Sequence, residues 1–254
     1  SICRAAAARD RRLRYVRHDR NLGAAPNYNA VFELSSSEYF RWAAHDDVWH
    51  PDHLALSVEA LDDDPRAVLS FSGAVDIDAE GRRLGRWQFP AELGSADASV
   101  RFRAIAYQEE TLPIFGLIRT DVMAQTHLHE HYTNCDRVLL AELALHGPFR
   151  QVGGDLFLHR EHAGRARYAA RSRQERLRWY DTSRSSAVYF PEWLWLHGYT
   201  RAIRRAPIDS QTRIRCLGAL APHLRNRARF LALDAAGGAR RMIRTLKPAG
   251  PGTA

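Results

Sequence analysis

Tyr39-Phe40-Arg41-Trp42-Ala43-Ala44-His45-Asp46-Asp47-Val48-Trp49-His50-Pro51-Asp52-His53-Leu54 runs as an apolar stretch into two adjacent carboxylates and then changes to helical spacing. The aromatic and small residues before His45 predict a buried strand, and open α/β sheets place ligands beyond the carboxyl ends of such strands. Asp46 and Asp47 fall on that edge. Pro51 suits a first helical turn, and Leu54, Val58 and Leu61 follow at helical spacing, so the chain is expected to return as a covering helix. Two like charges side by side cost free energy unless a cation or hydrogen-bond donors compensate them, and a hard divalent metal with phosphate oxygens is the usual compensation. A plainer reading stands beside it, since short acids also cap helices.

Upstream, Ser1 to Arg9 reads as the end of a helix and Leu13-Arg14-Tyr15-Val16-Arg17 as a short strand. In Asn21-Leu22-Gly23-Ala24-Ala25-Pro26-Asn27-Tyr28-Asn29-Ala30, Gly23 supplies a tight turn and Pro26 an early helical position, with the helix running through Leu34. Such a turn can lie against a sugar or a nucleotide, or be a capped helix start. Downstream, Asp62-Asp63-Asp64-Pro65 ends the covering helix, and Ala67-Val68-Leu69-Ser70-Phe71-Ser72 reads as a buried strand. Alternation at Val75-Asp76-Ile77-Asp78, with a turn at Glu80-Gly81 leading to Leu84 and Trp87, predicts a hairpin on the sheet's flank.

Residues 90 to 112 mix loop and short helix, and Ile114 to Arg119 returns as a strand, with Thr120 and Asp121 as caps for a short helix. His127, His129 and His131 alternate without a matching ligand cluster nearby, which predicts exposed loop histidines rather than a metal site. In Thr133-Asn134-Cys135-Asp136-Arg137-Val138-Leu139-Leu140-Ala141-Glu142-Leu143-Ala144-Leu145-His146-Gly147-Pro148, the leucines share a helix face that Gly147 and Pro148 terminate. Asp136 then stands in the first turn, where the helix dipole favours its ionised form; that suits a general base and equally an ordinary cap. Leu156 to His162 predicts a strand ending in Arg160 and His162. Beyond Ala163 the pattern is helical, broken at Pro191, Pro207 and Pro222, and ends in a Gly/Pro tail expected to be disordered.

The chain's 254 residues, 45% of them hydrophobic, suffice for one sizeable core with an appended part. Cys3, Cys135 and Cys216 are odd in number and far apart, which argues against a disulfide framework or a zinc knuckle and fits a reducing cytosol. No apolar run approaches the roughly 18 residues that span a bilayer. Residues 1 to 164 carry 18 arginines against 24 acids, net −6, whereas residues 165 to 254 carry 19 Arg and Lys against 5 acids, net +14. The two parts are expected to do different jobs.

The ordered set Asn21-x-Gly23, Asn29, His45-Asp46-Asp47 followed by Pro51, Phe115-Gly116-Leu117-Ile118-Arg119, Asp136 before its leucine helix, and Arg160-x-His162 resembles the family-2 glycosyltransferases of the GT-A fold. The resemblance covers about residues 1 to 165. It implies an α/β fold, a partial GT-A (Rossmann-like) mixed sheet flanked by helices, over 1–164, with a mostly α-helical, basic C-terminal extension over 165–254. It implies inverting transfer from a nucleotide-diphosphate sugar to a hydroxyl of a carbohydrate or lipid-linked acceptor, in bacterial polysaccharide, envelope glycan or glycolipid synthesis. In this reading Asp46 and Asp47 bind the donor and Mg²⁺ or Mn²⁺, Asp47 being the more direct ligand, and Asp136 is the catalytic base. Arg160 contacts the diphosphate, His162 the metal, and Asn21, Gly23 and Asn29 the donor.

Two departures stand out. Ala43-Ala44-His45 takes the place of a further acid that often precedes the pair. The family's opening strand, helix and second strand are not found before Ser1, and there is no initiator Met, so a fragment with a weakened donor site is expected. In the basic part, Trp179, Tyr180, Trp193, Trp195 and Tyr199 lie among arginines. That suits peripheral contact with the anionic inner face of a cell membrane, or simple packing on the catalytic domain. A basic nucleic-acid binder is the alternative from another class, disfavoured because the positive charge avoids the sheet region and no RRM, KH or zinc-finger pattern occurs. A noncatalytic transferase-like scaffold is the third reading.

Overall fold

Leu69–Ile77 is buried at every position except Asp76, so both faces of this strand are covered, and the sheet is built around it. The computed structural model describes residues 2–108, 110–162, 173–184 and 190–246. In chain order the elements are α1 (Ile2–Arg9), α2 (Ala24–Glu33), β1 (Tyr39–Phe40), β2 (Val48–Trp49), α3 (His53–Asp63), β3 (Leu69–Ile77), β4 (Arg83–Trp87), α4 (Ala98–Tyr107), β5 (Leu117–Arg119), α5 (Thr120–Met123), α6 (Cys135–His146), β6 (Phe149–Arg160), α7 (Arg173–Tyr180), α8 (Pro191–Arg205) and α9 (Ser210–Leu246). Short 3-10 turns lie at Ala91–Gly94, Leu112–Phe115 and Thr182–Arg184.

The strand order is β1-β5-β3-β6-β2, with β4 paired to β3 outside that path. β3 and β6 run parallel and the other pairs are antiparallel, which makes the sheet mixed, as the resemblance implies. The parallel pair runs from Leu69 opposite Phe149 to Ile77 opposite Arg160 and slips around Gly73, where Gly153 and Gly154 take up extra chain. Gly154 does so at φ 86°, a conformation open to glycine. The carboxyl ends of β3 and β6 therefore emerge at one edge, beside Asp46 and Asp47.

Helices cover the sheet according to their apolar faces. One large core cluster joins Leu69, Phe71 and Phe149 of the sheet to Phe102 and Ile105 of α4, Leu139, Leu140 and Leu143 of α6, Trp195, Tyr199 and Ile203 of α8, and Cys216 and Leu220 of α9. A smaller cluster packs Leu61 of α3 against Ala67 and Leu117. Helices from both sides of residue 164 thus share one core, while the 164/165 boundary itself and the Gly/Pro tail from Lys247 onward lie outside the described residues. No helix among the described residues is long and apolar enough to cross a membrane.

Several local expectations change. The strand before the acid pair keeps only Tyr39 and Phe40, because its partner β5 begins at Leu117 and the preceding Leu112–Phe115 is a 3-10 turn with no ladder to offer. β2, absent from the sequence reading, forms after Asp47 by pairing Val48 and Trp49 with Leu158 and Phe157. α3 buries His53, Ser57 and Leu61 and leaves Leu54 exposed. Leu13 to Arg17 carries no strand pairing. The ambiguous stretch 90 to 112 contains α4, whose N-cap Asp97 accepts from the Ser99 amide. Pro222 does not break the C-terminal helix but lies inside α9. The three alternate histidines are not a row of exposed side chains: His129 is buried, His127 Nδ1 sits 2.8 Å from Glu142, and His131 2.9 Å from Asp181.

Candidate active site

Asp46 and Asp47 sit between β1 and β2, and the end of β6 holds both. The Arg160 amide donates to Asp47 Oδ1 at 2.9 Å, and its guanidinium donates to the Asp46 carbonyl at 2.9 Å. The same guanidinium reaches the carbonyls of Asp78 and Ala79 at 2.9 and 3.0 Å, lacing the acid turn to the β3–β4 hairpin. His162 Nε2 lies 3.0 Å from Asp46 Oδ2. Burial works against ionising Asp46, yet the His162 hydrogen bond, a backbone amide and the charge of His45 outweigh it and hold the carboxyl below its usual range.

Asp136 stands in the first turn of α6, as its position before the leucines predicts. Thr111 donates its hydroxyl to Asp136 Oδ2 at 2.7 Å, and the Arg137 amide donates to Oδ1 at 2.9 Å. Asn134, the N-cap of α6, adopts φ 62°, a left-handed conformation that asparagine tolerates, and its amide donates to the Tyr180 hydroxyl at 3.3 Å. α7, from the basic part of the chain, therefore touches the turn that aims Asp136.

The upstream turn is built from the predicted residues but engaged with protein. Asn21 Oδ1 accepts from the Gly23 amide at 2.9 Å, and Gly23 adopts φ 93° with its α-carbon against the backbone of Tyr180 and Asp181. Asn29 forms a two-bond clamp, donating to the His129 carbonyl at 2.9 Å and accepting from the His129 amide at 3.0 Å. Between these parts lies Tyr28, packed edge-on against Trp42 and tilted against His129. Burial, followed by the charges of Asp136, Asp46 and Asp47, raises the Tyr28 hydroxyl's pKa.

Residues 1–132 match the family described as Glycosyl transferase family 2. The chain belongs to that family. No curated protein matches it. The match takes in Asn21, Gly23, Asn29, Asp46 and Asp47; Asp136, Arg160 and His162 lie beyond it, Arg160 and His162 bonded to the acid pair and Asp136 to Thr111.

Membership of glycosyl transferase family 2 implies a sugar donor carrying a nucleotide, an acceptor, and often a divalent metal. In this transferase the Asp46 carboxylate and the His162 imidazole lie side by side, part-exposed, and their oxygen and nitrogen donors suit Mn²⁺ or Mg²⁺ with Mn²⁺ favoured by the imidazole. Asp47 instead accepts the Arg160 amide, so among the described residues the predicted metal ligands Asp46, Asp47 and His162 do not close into one three-ligand set.

Around the predicted residues of the family-2 domain lie others that the sequence did not single out. Thr111 is one, 25 positions before the carboxylate it holds. Tyr28 and Trp42 are others; the Trp42 indole donates to the Tyr28 carbonyl at 3.0 Å and so ties α2 to the stretch that leads into Asp46. Arg41 stacks 4.3 Å over Trp49 and donates to the Nδ1 of a buried His53, whose pKa falls to about 4 through burial and the arginine's charge. Burial likewise brings His129 down to about 4 despite the nearby Asp136. Only an aromatic residue at 28, four before Phe32 on α2, hinted at the Tyr28–Trp42 contact in the sequence.

Proposed function

We propose that the protein is an inverting glycosyltransferase that moves a sugar from a nucleotide-diphosphate donor to a hydroxyl acceptor in bacterial polysaccharide, envelope glycan or glycolipid synthesis. The observation that carries this reading is that the end of β6 holds Asp46 and Asp47 at one turn, while Thr111 and the Arg137 amide hold Asp136 at the start of α6. A single-displacement transfer needs an acidic, cation-binding locus for the diphosphate and a separate carboxylate for the attacking hydroxyl, and the two lie on different elements here.

Asp136 takes the acceptor's hydroxyl proton as that oxygen bonds to the anomeric carbon, and the carbon's bond to the diphosphate oxygen breaks on the opposite face, inverting the configuration. Thr111 and the Arg137 amide occupy two of the carboxylate's roughly four acceptor positions and leave it oriented. Asp46 and His162, whose donor atoms lie 3.0 Å apart, would hold Mg²⁺ or Mn²⁺, which when bound neutralises charge on the leaving diphosphate. Arg160, already pinned to the acid turn, sets the position of that locus. Asn21, Gly23 and Asn29 shape the donor wall from the α2 side.

The acceptor is a carbohydrate or a lipid-linked glycan met on the cytoplasmic side, with the arginine-rich helices as a peripheral membrane contact. Trp179 and Trp193, 43% and 46% exposed, support such contact, whereas Trp195 and Tyr199 are buried in the core. The test is release of nucleoside diphosphate from a panel of UDP-, GDP- and dTDP-sugars with Mn²⁺ or Mg²⁺ and saccharide acceptors. Metal-dependent release with an inverted anomeric product is expected; a product of retained configuration would refute the assignment of Asp136.

A further inference from the structure

Side chains alternate along β6, so His159 and Glu161 face away from Arg160 and His162 and toward Asp76 of the neighbouring strand. His159 Nδ1 is 2.7 Å from Asp76 Oδ1 and 3.8 Å from Glu161 Oε1, and the three ligand atoms lie within 4.8 Å of one another. Ligand atoms around an ion at about 2.1 Å stand roughly 3 to 3.5 Å apart, so closing this set requires only a small contraction. We propose that Asp76, His159 and Glu161 form a second divalent-cation site, for a first-row transition ion such as Mn²⁺ or Zn²⁺, on the opposite face of β6 from Asp46 and His162.

Three features support the site. It is preorganised: Asp76 and His159 are direct partners in the parallel ladder, and the Glu161 amide donates to the Ile77 carbonyl at 2.7 Å. Its imidazole is withdrawn from solvent, 3% exposed and near the Phe157 ring, with Nδ1 turned into the cluster. The carboxylates are more open, at 17% and 14%, which gives an ion its way in. One nitrogen with two carboxylates suits Mn²⁺ or Zn²⁺ better than Mg²⁺ or Ca²⁺, which prefer oxygen alone. An ion here fastens the ends of β3 and β6 and thereby positions Arg160 and His162 on the other face; it takes no part in the reaction.

The experiment reads ion binding, so it does not depend on whether sugar is transferred. The full chain, stripped of metal, carries Asp46→Asn and His162→Gln to remove the pair on the other face, and is titrated with Mn²⁺ by electron paramagnetic resonance. One Mn²⁺ is expected to remain, with a directly bound nitrogen in its pulsed spectrum that His159→Gln removes. Asp76→Asn and Glu161→Gln, conservative changes at part-exposed positions with folding checked by circular dichroism, should each weaken binding about tenfold or more. Zn²⁺ should displace the ion and equimolar Mg²⁺ should not. Absence of Mn²⁺ from the Asp46→Asn, His162→Gln protein, or affinity unchanged in both Asp76→Asn and Glu161→Gln, would overturn the proposal.

Discussion

Asp136 combines three local influences: the first turn of α6, a hydroxyl donor from Thr111 and a neighbouring main-chain amide. Removing only its charge separates proton transfer from binding. Asp136→Asn is expected to lower turnover by about 10²- to 10⁴-fold, with donor affinity by calorimetry unchanged. Asp47→Ala should weaken both donor binding and turnover, since Asp47 also anchors the Arg160 amide; unaltered donor affinity would remove it from that role. Gly23 shows how one residue sets a boundary between parts of the chain. An added methyl there meets the Tyr180 carbonyl at 2.7 Å and forces a side chain into φ 93°. Gly23→Ala should cost about 1–3 kcal/mol or more in chemical denaturation.

At the scale of elements, the buried histidines give the fold a pH signature. His53 in α3 and His129 before α6 both have folded pKa values near 4, below the ordinary 6.5, because burial penalises their charged forms. Below pH 6.5 the unfolded chain takes up these protons more readily than the folded one, so stability is complete above that value and falls as pH drops toward 4. Thermal melts between pH 7.5 and 4 should show this decline. It precedes the loss from Asp64, held near 2 by its Arg66 hydrogen bond and then Arg150, which occupies the range below 3.8. A melting temperature constant from pH 7 to 4.5 would contradict the histidine assignment. The α6–α8 contact gives a second expectation. Gly198 of α8 packs so closely on Tyr132 and Val138 that a methyl would lie 2.9 Å from Val138 Cγ1. Gly198→Ala should overpack the contact and cost about 1–3 kcal/mol.

For the whole molecule, the shared core means that the basic helices support the site as well as extend the chain. Trp195, 3% exposed, packs with Tyr199 in the cluster that holds α6, and Arg137 and Arg227 stack on its ring. Trp195→Ala should cost about 3–5 kcal/mol, and a chain ending at residue 164 should bind hydrophobic dye and lose near-ultraviolet dichroism. A sharp native melt from that shortened chain would show that the core divides. What the sequence determined by itself was local: the helix that starts at Cys135 and stops at Gly147, the Gly81 hairpin, the acid pair after an aromatic stretch and the charge contrast between the two parts. Those depend on periodicity, capping and composition, which act over a few residues. Only the tertiary structure decided that Asp47 would meet Arg160, 113 positions away, that Thr111 would hold Asp136, that β2 would form at all, and that His129 would be buried. Strand pairing and core packing bring together residues far apart in sequence, and no local pattern records which partners the closed sheet will supply.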